Sequence, residues 1–80
     1  MIFLIEYKRS AGLLVTFRRF DDSQREQAWG ERLALELDLH RKGIEHEVVL
    51  LEAENEGIIR RTHGRYFQDL RSLLNAAGGV

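Results

Sequence analysis

The chain has 80 residues, neither cysteine nor proline, and a formal net charge of −1 at pH 7. A chain of this length forms one domain, so we expect a single domain over residues 1–80. The absence of cysteine excludes disulfides, thiolate catalysis and cysteine-ligated zinc. A charge so close to zero argues against a protein that mainly binds polyanions.

Apolar residues make up 44% of the chain and charged residues 31%, which is typical of folded globular proteins. No window approaches the roughly 20 apolar residues of a membrane span. The apolar run at the N-terminus is too short for the hydrophobic part of a signal peptide. We therefore expect a soluble cytoplasmic protein that does not contact membranes.

The first twenty residues predict a β-hairpin. Residues 2–9 and 13–20 alternate as strands do, and Gly12 supplies a turn residue between them. On the first strand Phe3 and Ile5 share one side, and Ile2 and Leu4 share the other. On the second strand the alternation places Val15 and Phe17 with Phe3 and Ile5, and Leu14 and Phe20 with Ile2 and Leu4.

A long helix follows. Ser23 and Glu26 have capping-box spacing, and Gly43 follows Lys42 as a C-terminal glycine. Residues 33–39 alternate like a strand, but the cap, the lack of β-branched residues and the final glycine favour a helix up to about Lys42.

A buried strand over residues 45–53 and a second helix complete the chain. Asn55 is a candidate N-cap, and Gly78 and Gly79 end the predicted helix after Ala77. Wound at helical spacing, this segment has two chemically different faces. Its apolar face comprises Ile59, His63, Tyr66, Phe67, Leu70, Leu73, Leu74 and Ala77. Its polar face contains Arg60, Arg61, Gly64, Arg65 and Arg71.

These elements predict an α+β domain of β-β-α-β-α order, with a three-stranded mixed sheet packed by two helices. The sheet combines the hairpin with a crossover that should be right-handed, which makes the third strand parallel to the second. We favour the strand order 2-1-3, and the order 1-2-3 stays open.

The chain has more apolar surface than one copy is expected to cover. Trp29, Leu33 and Leu37 form one apolar arc of the first helix, and a second arc lies almost opposite. We therefore expect a homodimer that buries the second arc or the open face of the sheet. The alternative is a monomer with one helix on each face of the sheet. The interface candidates are Ala28, Leu35 and Leu39 from the helix, and Ile2 and Leu4 from the sheet.

The arginine face of the last helix is the candidate binding surface. Cations early in a helix are disfavoured by its dipole, so Arg60, Arg61 and Arg65 suggest an acidic protein partner or nucleic acid. Gly64 would let such a partner approach closely, and Arg71 extends the surface. The alternative is a solvated face on which arginines pair with neighbouring carboxylates.

His63 and Tyr66 are the candidates for acid–base chemistry, although a core histidine bound to a polar neighbour is the simpler expectation. The sequence lacks a P-loop, a dinucleotide-binding glycine motif, a zinc-protease motif and a nucleophile elbow. We expect no metal and no cofactor. The leading interpretation is a small, non-catalytic and homodimeric binding module. Its alternatives are a nucleic-acid-binding protein that also uses Arg18 and Arg19, and an enzyme with an interfacial site around His63 and Tyr66.

Overall fold

The computed structural model describes residues 1–64. Their element order agrees with the predicted α+β arrangement. The elements are β1 (Ile2–Lys8), β2 (Leu13–Phe20), α1 (Arg25–Arg41), β3 (Glu47–Glu52) and α2 (Glu56–Thr62). Neither helix in this part of the chain is long and apolar enough to cross a membrane.

The sheet has the order β2-β1-β3, which confirms the favoured strand order. Both outer strands pair with β1 in the antiparallel direction. β2 and β3 therefore run in the same direction, as predicted, but β1 separates them. The prediction of a mixed sheet is therefore wrong, since both pairs of neighbouring strands are antiparallel. The handedness of the crossover stays a prediction.

A β-bulge changes the register of the hairpin. Glu6 pairs with Thr16, whereas the next residue, Tyr7, pairs with Leu14, so Val15 is the extra residue on β2. The bulge turns Leu14 towards Phe3, opposite to the predicted side, and leaves Val15 exposed. One inserted residue reverses the alternation between the bulge and the hairpin turn, and a sequence pattern of period two does not reveal the insertion.

The two helices cover opposite faces of the sheet. On one face Ile59 of α2 packs with Phe3 and Ile5, and the rings of Phe3 and Phe17 stack with centroids 5.6 Å apart. On the other face α1 contributes to a second core. That core contains Ile2, Leu4, Phe20 and Ala28.

The ends of α1 are set by local chemistry. A capping box joins Asp21 and Gln24 across the 3-10 turn Asp22–Gln24 that leads into α1, with the Asp21 N–H donating to Gln24 Oε1 at 2.9 Å. The predicted box of Ser23 and Glu26 is therefore two residues too late. At the other end Gly43 adopts a φ of +67°, a conformation that favours glycine, so this predicted helix end is confirmed.

α2 begins as predicted, because the Asn55 side chain accepts a hydrogen bond from the Ile58 N–H at 3.0 Å. The helix ends at Thr62, and His63 has non-helical dihedral angles of φ −124° and ψ 44°. This end comes before the predicted one. The β-branched Thr62 and the nearby Gly64 both have low helix propensity. The rest of the predicted helix, up to Ala77, lies outside the described residues.

Candidate functional site

The largest apolar side chains on the outer side of α1 are left uncovered. Trp29, Leu33 and Leu37 are 54%, 58% and 52% exposed. They recur every four residues, so they form one stripe along the helix. We call this surface, with Gly30 between its first two members, the outer face of α1. It comprises Trp29, Gly30, Leu33 and Leu37.

The opposite arc of α1 packs on the sheet, which corrects the predicted interface. Ala28 and Leu39 of α1 are buried within the single chain, as are Ile2 and Leu4 of β1, and Leu35 is half-buried. Side chains buried in this way have no surface left to offer a second copy. These four residues therefore belong to the core of one copy, and the exposed arc of α1 is that of Trp29, Leu33 and Leu37.

Two ion pairs join α1 to the sheet. Arg18 on β2 pairs with Glu31, and Arg25 pairs with Glu52 on β3. The two contacts join α1 to both outer strands of the sheet. Exposed pairs contribute little to stability, typically about 0 to 1 kcal/mol. The rotation of α1 is therefore decided mainly by packing beneath the helix, where Ala28 is small enough for a close approach.

The polar neighbours of the outer face leave an apolar cleft open. The Arg32 guanidinium lies 5.2 Å from the Trp29 ring centroid, and its Nε donates to Glu36 at 2.8 Å. With Gly30 and Leu33 these residues line a cleft of about 400 Å³. The charge of Arg32 is thus already paired with Glu36 and with the Trp29 ring. The cleft therefore offers mainly apolar contact.

A buried polar cluster lies beneath the C-terminal half of α1. Glu6 is only 5% exposed, and its carboxylate accepts a hydrogen bond from Thr16 Oγ1 at 2.7 Å. Its second oxygen lies 2.5 Å from Nδ1 of His46. A buried carboxylate is tolerated when hydrogen-bond partners replace water. This cluster therefore ties the central strand to β2 and to the segment that enters β3.

This cluster was not among the predicted sites. Strand alternation puts Glu6 on the same side of β1 as Ile2 and Leu4, which is a signal of a buried charge. Thr16 could have been found from the hairpin register, since it lies directly opposite Glu6. His46 could not have been found in this way, because it approaches Glu6 only when β3 pairs with β1.

We expect His46→Ala to reduce the free energy of unfolding by about 2 kcal/mol, because the buried Glu6 carboxylate loses one of its partners. Denaturant unfolding monitored by circular dichroism measures this change. Glu45→Ala, at an exposed neighbouring position, should change it by less than about 0.5 kcal/mol. Adding Glu6→Met should remove most of the penalty, and additive effects of the two substitutions would contradict the contact.

The predicted arginine face is only partly described. Arg60 Nε donates to Glu56 at 3.2 Å, as expected for a solvated face, whereas Arg61 is exposed and Gly64 is half-buried. Arg65 and Arg71 lie outside the described residues. On the hairpin Arg18 is engaged by Glu31 and lies over the Phe20 ring, while Arg19 is exposed. Binding of an acidic partner or nucleic acid at these arginines stays a prediction.

His63 is half-buried, and its Nδ1 lies 2.8 Å from Thr62 Oγ1. The Thr62 hydroxyl also donates to the Ile58 carbonyl oxygen at 2.8 Å, so this hydroxyl has two hydrogen-bond partners. Tyr66 lies outside the described residues, so acid–base chemistry at His63 and Tyr66 stays a prediction. Within residues 1–64 no group of three histidines and carboxylates could hold a metal ion.

The outer face of α1 is thus the most prominent candidate site among residues 1–64. It combines exposed apolar area with an open cleft, whereas Arg60 and Arg18 already have carboxylate partners. Comparisons of the chain with protein-family models, curated proteins and solved structures gave no match.

Proposed function

We propose that the protein is a non-catalytic interaction module of the cytoplasm that works as a homodimer. The observation that carries this proposal is the row of three large apolar side chains on α1, each more than half exposed. Contiguous apolar patches on soluble proteins mark interaction sites more often than chance. A chain of this size also buries too little surface to be more than marginally stable alone.

The arrangement suits binding better than catalysis. The outer face contains no nucleophile and no histidine, and its charged neighbours Arg32 and Glu36 neutralise each other. An apolar surface without reactive groups can provide affinity through burial of area. It supplies no group that could transfer a proton or form a covalent intermediate.

The single tryptophan of the chain gives a direct test. Between about 1 and about 100 µM, a range that detects weak association, the Trp29 emission should shift to the blue as the ring loses contact with water. Sedimentation velocity over the same range should show the mass rising from one copy to two. A single-copy mass and constant emission across the range would overturn the proposal.

A further inference from the structure

We propose that two copies associate through their α1 helices in an antiparallel, twofold arrangement centred on Leu33. This inference rests on the proposed function, and adds the orientation and register of the two chains. It follows from three features of the outer face: the symmetry of its apolar residues, the charges at its two ends, and a glycine that the chain itself does not require.

The apolar residues are symmetric about Leu33. Trp29 and Leu37 lie four positions before and after it. If two antiparallel helices cross at Leu33, each Trp29 faces the partner's Leu37, and the two Leu33 side chains meet on the axis. A twofold contact requires such self-complementarity, because the same surface serves both copies. A parallel pairing would instead bring the two Trp29 rings together, and it would place each charged residue next to the same residue of the partner.

The charges at the ends of the outer face are complementary in this orientation. Glu26 lies seven positions before Leu33 and His40 seven after it, with Arg41 next to His40. Glu26, His40 and Arg41 are exposed and have no ion-pair partner within residues 1–64, whereas the other acidic and basic residues of α1 do. An antiparallel partner places Glu26 against His40 and Arg41 at both ends. Opposite charges placed in this way fix register and orientation more than they add affinity.

Gly30 supports a close approach by another chain. A Cβ atom built at this position meets nothing within 4 Å in its own chain. Glycine inside a helix reduces stability by about 1 kcal/mol relative to alanine, so the fold of one copy gives no reason for it. In the antiparallel arrangement Gly30 lies beside the partner's Leu37 and lets the two helix backbones come near each other.

Disulfide trapping tests the orientation cleanly, because the chain has no cysteine of its own. We would mix Glu26→Cys and His40→Cys chains of different tag length, oxidise them mildly, and separate the products by mass. The antiparallel arrangement predicts the mixed product and almost no Glu26→Cys homodimer. Gln27→Cys, which is adjacent but lies off the outer face, serves as the control and should remain uncoupled.

The charge pairs give a second, independent measurement. Glu26→Arg should raise the dissociation constant of the dimer about 3- to 10-fold at low salt, and adding Arg41→Glu should restore it. Homodimeric disulfides at both positions would show a parallel pairing and overturn the inference. No trapping at either position, with a wild-type mass of two copies, would also overturn it but leave the proposed dimer intact. A wild-type mass of one copy would overturn both.

Discussion

Replacing Leu33 by aspartate is expected to raise the dissociation constant of the dimer at least about 100-fold, which corresponds to about 3 kcal/mol. On the twofold axis the two Leu33 side chains meet, so the substitution removes apolar contact from both copies and brings two carboxylates together. The fold of one copy should survive, because Leu33 is 58% exposed and belongs to neither core cluster. Sedimentation equilibrium and far-ultraviolet circular dichroism measure the two properties separately.

Val15→Asp is the matched control for this variant. Val15 is an exposed apolar residue of similar accessibility, but it lies on β2 at the bulge and not on α1. We expect the Val15 variant to keep the wild-type mass of two copies. If the Leu33 variant also keeps that mass, the outer face of α1 is not the contact surface, and the dimer would have to use another part of the chain.

Replacing Ile59 by alanine should lower the free energy of unfolding by about 3 kcal/mol, a typical value for a fully buried aliphatic side chain. Ile59 is 1% exposed and is the residue of α2 that closes the core with Phe3 and Ile5. The described part of α2 has seven residues, and a helix this short depends on tertiary packing for its stability. Urea unfolding of the purified variant measures the loss.

Ile58→Ala provides the comparison for Ile59. The two isoleucines are neighbours in the same helix, but Ile58 is only half-buried. Its truncation should therefore destabilise the protein clearly less, since the effect of such a change grows with the cavity that it leaves. Equal losses for the two variants would mean that α2 is not seated on the sheet through Ile59.

The two expected results concern opposite sides of the molecule. α2 closes one face of the sheet, while α1 covers the other face and turns the arc of Trp29, Leu33 and Leu37 outwards. The Leu33 variant should leave unfolding of a single copy nearly unchanged, and the Ile59 variant should destabilise both single copy and dimer. Measuring each variant in both assays therefore separates the surface that binds from the core that folds.

Much of the fold could be predicted from the sequence, because the signals are local. The hairpin follows from alternation around Gly12, the end of α1 from Gly43, and the start of α2 from the Asn55 cap. Each of these depends on backbone preferences of a few adjacent residues. The central position of β1 was favoured but left open by these signals, and the pairing of β3 with β1 decides it.

The candidate site could not be predicted in the same way. The two apolar arcs of α1 are similar in hydrophobicity, so the sequence offered no local reason to bury one and expose the other. The sheet decides, because Ala28 packs with Ile2 and Leu4 and Leu39 is buried as well, whereas the bulky Trp29 stays more than half exposed. The same holds for Glu6 and His46, forty positions apart, which meet only once β3 pairs with β1. Local backbone chemistry thus determined the elements and their ends, and contacts between distant segments decided which surfaces of those elements remained free to bind.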